Sequence, residues 1–198
     1  MHKTKRALID TVLQLMDGIP STPVTLQDVL TTSGLTSGAL YYHFEDFPDL
    51  IDHALIDIYS SYTTSGISGL AEIIANSSSV EEAKVALATL IQVRHSDSQS
   101  KIRAAVAWIA AQATFQPSLQ QKLGPAQLEM TEKIADVILS GQQKGLINTQ
   151  RDPYALAVFI QAYALGRIVD DLAGKQMDGS KWYELIFSMV TEFMLVEK

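Results

Sequence analysis

The chain has no cysteine among its 198 residues, which excludes a disulfide scaffold and any thiolate-held metal and suits a reducing cytoplasm. It also lacks an uninterrupted apolar run near the ~18–20 residues that cross a bilayer, so no membrane partner is expected. Its start, MHKTKRALIDTVLQLMDG, spaces apolar residues as a helix does and interrupts them with Asp10 and Gln14, unlike a signal peptide. Positive charge is scarce and badly distributed. No Lys or Arg stands between Arg6 and Lys84, and the net charge is −7. Residues 1–50 hold three basic against six acidic residues, a net of −3, and the remainder holds twelve against sixteen, a net of −4. Neither part offers a basic block for indiscriminate phosphate binding.

The sites of common chemistries are missing as well. His2, His43, His53 and His95 are scattered without metal-ligand spacing, so no metal and no cofactor are expected. No Gly-x-Ser-x-Gly elbow surrounds a serine, and no glycine loop suits phosphate. Asp170 and Asp171 are adjacent, and helix neighbours diverge by about 100°, which suits an acid–base couple poorly; a solvated face with one member at an interface fits better. No catalytic residue is assigned and no enzyme is expected.

What the chain does have is helical periodicity throughout. The spacing predicts an all-α fold of about nine helices, with a three-helix head (1–50) joined by a long helix to a larger body (51–198). A first helix spans about Lys3 to Asp17, with Leu8, Val12, Leu15 and Met16 on one face. Thr25 caps the next helix, with Asp28 in a capping-box position, and Gly34 ends it where a left-handed backbone is needed. Thr36 or Ser37 opens a third helix whose Leu40 and Phe44 face inward. Beyond lie a long helix from Phe47 to Ala75, one from Val80 to His95, a loop at 96–100 and a helix from Lys101 to Phe115. Gly124 and Pro125 predict a bend before a helix from Ala126 to Lys144. Two last helices, Tyr154–Ala173 and Lys181–Val196, flank GKQMDGS (174–180).

Two short helices across a glycine turn form the layout of a helix-turn-helix DNA reader. With Gly34-Leu35-Thr36-Ser37-Gly38-Ala39-Leu40-Tyr41-Tyr42-His43-Phe44 followed by Asp49-Leu50, the chain resembles the TetR family of transcriptional regulators. The strong part of that resemblance covers about residues 6–53; beyond it, helix number and length and the passage GLINTQRDPYALAVFIQAYALG continue it. The resemblance implies a cytoplasmic homodimer, most often a repressor, that binds a palindromic double-stranded DNA operator and leaves it when a small-molecule effector binds. It implies phosphate contacts from Thr25, Tyr41, Tyr42 and His43, the last more strongly if protonated. It implies base contacts near Thr36, Ser37, Gly38 and Ala39. Phe47 stands where the family commonly has a phosphate-pairing lysine, and Leu30 replaces a small alanine. DNA contact then falls to dipoles, hydroxyls and Lys3, Lys5 and Arg6.

In the body, Arg103, Trp108, Gln112, Phe115, Tyr163 and Arg167 are polar or aromatic residues amid alanines, as an effector pocket requires. Trp108 and Phe115 would serve equally as core filling, and an inward Arg103 would favour an anionic group. Leu156, Phe159, Ile160 and Tyr163 form one apolar stripe and Trp182, Leu185, Ile186, Met189 and Phe193 another. The resemblance implies that these dock with a second copy into a four-helix bundle. A second reading stays open: a TetR-shaped ligand-binding or interaction protein whose head no longer reads DNA.

Overall fold

A computed structural model describes residues 2–173 and 177–196. They form nine helices of seven residues or more: α1 (Lys3–Met16), α2 (Leu26–Ser33), α3 (Ser37–His43), α4 (Phe47–Asn76), α5 (Val80–Arg94), α6 (Ser100–Ala113), α7 (Pro117–Gln143), α8 (Pro153–Gly166) and α10 (Gly179–Met194), with the single turn α9 (Ile168–Asp171) before the last. The fold is all-α. Its one extended pairing among the described residues is a bridge between Ile147 and Leu195. Residues 174–176 of the expected connection lie outside the described residues.

Packing divides the chain into two compact units: Met1–Tyr62 with Ala104–Ala126, and Thr63–Arg103 with Gln127–Lys198. The head expected at 1–50 therefore belongs to a larger unit. In that first unit α1 packs on α2 and α3 and buries Leu8, Ile9, Val12 and Met16. Val29, Leu40, Phe44 and Leu50 are buried with them, as are Leu119 and Leu123 of the returning segment. Lys122, between the last two, donates to Asp49 at 2.7 Å and Asp52 at 2.9 Å at the start of α4. In the second unit, Leu70, Ile74, Leu87, Ile91, Ile134, Ile138, Leu146, Ile147, Ile186 and Val190 form one apolar cluster.

The structure departs from the sequence expectations at three places. The bend at Gly124-Pro125 is absent, and α7 runs through Pro125. Leu119, Leu123, Met130, Ile134 and Ile138 are all buried at helical spacing. That stripe outweighs the ~3 kcal/mol an interior proline costs, and both Gly124 and Pro125 are exposed, where water can satisfy the freed carbonyl. The expected helix 154–173 breaks after Gly166, where α9 follows; beyond this weak helix former, the side chains of Arg167 and Asp171 turn into ion pairs. The expected loop 96–100 contains a 3₁₀ turn, Asp97–Gln99.

Gly141 sits where α7 meets the bridge. A Cβ there would lie 2.6 Å from Ile147 Cδ1 and 3.0 Å from Ile74 Cδ1, and both isoleucines are buried. Overpacking such a site costs ~1–3 kcal/mol, against a helix-propensity gain of ~1 kcal/mol. We expect Gly141→Ala to lower the urea midpoint by the equivalent of ~1–2 kcal/mol; an unchanged or raised midpoint would show that the isoleucines repack freely.

Candidate functional site

The helix-turn-helix is built from local rules. Thr25 caps α2 by accepting the Asp28 N–H, and Asp28 returns the bond to the Thr25 N–H. Gly34 ends α2 at φ 67°, ψ 13° and donates its N–H to the Leu30 carbonyl, a left-handed position glycine takes without penalty. Two residues later Thr36 caps α3, accepting the Ala39 N–H at 3.2 Å. Leu40 and Phe44 are buried, so α3 is pinned by one face and shows the other to solvent. That open face carries Ser37, Gly38, Tyr41 and Tyr42, with Ala39 and His43 half-buried. Tyr42 is 82% exposed, more than is usual for a tyrosine in a folded protein.

Charge around the helix-turn-helix is largely cancelled. Arg6 pairs with Asp10 at 2.6 Å and Asp57 at 2.9 Å; hydrogen bonds to the two carboxylates, opposed by partial desolvation, raise its pKa further above its ordinary value. Lys5 Nζ lies 5.0 Å from the Phe44 ring centre and 3.2 Å from His53 Nε2. Lys3 is exposed. His43, beside His2 at 4.7 Å between ring centres, is held below 6.5 by lost hydration and then by the charges of His2 and Lys5. The protonation expected to strengthen its phosphate contact is thus disfavoured in the free protein. Thr25 is also less available than expected. Its hydroxyl is 2.5 Å from Asp28 Oδ2, which places a carboxylate at the α2 N-terminus where the resemblance put a phosphate.

The body residues separate. Trp108 and Gln112 are half-buried in the first unit, and Phe115 there is 84% exposed, so Phe115 neither fills the core nor lines an enclosed pocket. It stands at the end of α6, where Thr114 and Phe115 close a turn back onto Ala111 and Gln112. Arg103, Tyr163 and Arg167 belong to the second unit. Arg103 is fully buried and donates through Nε and Nη2 to both oxygens of Asp171, each at 2.8 Å. Of the Asp170-Asp171 pair, expected on a solvated face with one member at an interface, Asp171 is the counter-ion of Arg103 and is held below the usual carboxylate range chiefly by that contact. His95, which carried no role in the sequence reading, is 4% exposed; it accepts the Trp182 Nε1–H at 3.0 Å and stacks on Tyr163 at 5.3 Å. Burial, then the charges of Arg103, Arg167 and Arg94, push its pKa down to about 4.

The two stripes on the last helices also divide. Leu156 and Ile186 are buried in the chain's own core, so they are not available to a second copy. Ile160, Tyr163 and Trp182 pack half-buried on that core, and Met189 is half-buried too. Phe159, Leu185 and Phe193 remain exposed, with Tyr154 and Val158 beside Phe159 on α8. The stripes were too broad because a helical apolar face of this width serves the core with one edge and solvent with the other. Among the described residues no group of three or more His, Asp or Glu is placed to hold a metal, and no helix is long and apolar enough to cross a membrane.

No protein-family model matches the sequence, and no curated protein matches it. Solved structures do. A TetR-family transcriptional regulator from Rhodococcus sp. superposes with a TM-score of 0.69 at 21% identity, over 98% of this chain and all of that one. The reduced form of E. coli NemR gives 0.68 at 14% identity, over 99% of this chain and 100% of the other. A transcriptional regulator from Saccharomonospora viridis in complex with choline gives 0.66 at 17% identity, over 98% and 99%. The chain therefore has the fold of the TetR-family transcriptional regulators along nearly its whole length.

His95 makes stability pH-dependent in a definite direction. Its folded-state pKa of about 4 lies below the ordinary 6.5, so between those values the unfolded chain binds the extra proton and folding weakens as pH falls. Above 6.5 the group contributes no slope. We expect the unfolding free energy to drop by ~2–3 kcal/mol from pH 6.5 to 4, and His95→Gln to remove most of that drop in urea titrations. Equal slopes in both proteins would contradict the assignment.

Proposed function

We propose that the chain is a TetR-like transcriptional regulator: a homodimer that reads a palindromic operator through α3 as a repressor and releases it when a small molecule binds the body. It acts by binding rather than by catalysis, in the cytoplasm. The observation that carries the reading is the open face of α3. A seven-residue helix held by Leu40 and Phe44 directs Ser37, Gly38, Tyr41 and Tyr42 outward, which is the chemistry of base-edge and phosphate contact without formal charge. Thr36 and the half-buried Ala39 complete the helix start, and Thr25 and His43 flank it. The exposed Tyr154, Val158, Phe159, Leu185 and Phe193 supply the apolar face for a second copy, and a dimer would set two readers on two half-sites. Choline in the Saccharomonospora viridis regulator supports a small-molecule effector for this chain as well.

A second reading has its own support. The first unit holds four basic against eight acidic residues, a net of −4, and Asp28 occupies the α2 N-terminus. Under that reading the same fold binds a ligand or partner and no longer reads DNA.

Fluorescence anisotropy with duplex DNA from upstream of the chain's own coding sequence separates them. At low salt we expect saturable binding that unrelated DNA does not compete away. Gly38→Asp, at an exposed site, should weaken it by ~100-fold or more through like-charge contact, and Tyr42→Phe by ~3–10-fold through one lost hydrogen bond. Neither should move the melting temperature. The absence of any saturable complex would leave the second reading.

A further inference from the structure

The second unit holds two nearly inaccessible arginines, and their donors are satisfied very differently. Arg103 has a closed side-on edge: Nε and Nη2 each donate to one oxygen of Asp171, while Nη1 donates to the Ser96 carbonyl at 3.0 Å. Arg167 is 3% exposed, yet it reaches only Oδ1 of Asp97 through Nη2, and its Nε is buried with no acceptor among the described residues. The Asp97 side chain is itself 76% exposed. The positive partner is therefore buried and half-bonded, and the negative one stands in water on the short Asp97–Gln99 turn. Buried N–H groups without acceptors are rare in folded proteins. A carboxylate placed on Arg167 as Asp171 is placed on Arg103 would fill Nε and Nη2 together.

The surroundings suit an organic carboxylate. Tyr163 precedes Arg167 by one helical turn, on the same side of the chain, and stacks on His95, to which Trp182 donates. Gly179, opening the sixteen-residue α10, lies beside Arg167: a Cβ there would be in ordinary contact with its Nη2, at 3.8 Å. The backbone at the start of α10 thus comes near the guanidinium without a side chain between. Nearby carboxylates are engaged elsewhere: Asp171 on Arg103, and Asp170 with the Met177 N–H at 3.0 Å.

We propose that Arg167 anchors a binding site for an organic carboxylate, with Asp97 as a resident stand-in that the ligand displaces. The incoming carboxylate takes Nε and Nη2 side-on, and its apolar body lies toward the rings of Tyr163 and Trp182. Asp97 returns to water, and the turn that leads into α6 loses its tether. The proposal builds on the reading of the chain as an effector-controlled regulator and names the chemical class of the effector; its test uses no DNA, so it fails or succeeds apart from the DNA claim.

The test titrates the full chain with benzoate and with its neutral isostere benzamide, read by tryptophan fluorescence and by melting temperature. Benzoate should bind the wild type and benzamide should not. Asp97→Asn, which removes the competing carboxylate, should tighten benzoate by about fivefold or more. Arg167→Gln should abolish binding. If Arg167→Gln proves unfolded by circular dichroism, the Asp97→Asn comparison still decides. Benzoate binding that Asp97→Asn does not improve, binding equal in wild type and a folded Arg167→Gln, equal binding of benzamide, or no binding to either wild type or Asp97→Asn would each overturn the proposal.

Discussion

A helix of seven residues does not hold together in water, because nucleation costs more than two turns of hydrogen bonds return. α3 exists because Leu40 and Phe44 are buried against the first unit's core, at 0% and 3% exposure, and because Thr36 and Gly34 fix where it starts and where the chain turns into it. Everything proposed for the head follows from that burial. It sets the rotation of α3, and the rotation leaves Ser37, Gly38, Tyr41 and Tyr42 as the residues presented to a partner. Removing either anchor would lose the orientation of α3 before it removed any of those exposed side chains.

The head combines that geometry with charge neutralisation uncommon for a DNA-binding surface. Arg6 is committed to Asp10 and Asp57, Lys122 to Asp49 and Asp52, and Lys5 lies over Phe44. The Arg6 pairs are exposed on both sides and contribute little to stability, whereas Lys122 meets two largely buried carboxylates; each of these contacts also removes a cation from phosphate contact. What remains for binding is the hydroxyl-rich open face, the helix N-termini and Lys3. Such an interface draws its specificity from shape and hydrogen bonding more than from counter-ion release.

The short-range features were legible in the sequence because their causes are short-range. The Thr25–Asp28 capping box, the left-handed Gly34, the Thr36 cap and the Leu40/Phe44 spacing each involve residues within a few positions, and each is present in the structure. Pro125 misled because its local cost is overridden by a buried stripe on both sides of it. The ion pairs and the buried histidine were illegible for a different reason. Arg103 meets Asp171 across 68 positions, Arg167 meets Asp97 across 70, and His95 meets Trp182 across 87. No periodicity encodes such pairings; they appear only once helices are packed. The residues chosen for an effector site included Arg103 and Arg167 for their polarity, but their opposite states of satisfaction belong to the tertiary structure alone.

The dependence of operator affinity on salt concentration tests this picture of the head most directly. With Lys3 as the main cation neither locked to a carboxylate nor held over a ring, a dimer should neutralise about two phosphates or fewer, giving a slope of log K against log salt no steeper than about −2. A slope of about −7 or steeper would mean that paired residues such as Arg6 and Lys122 are released to the phosphates, and the neutralised head described here would be wrong.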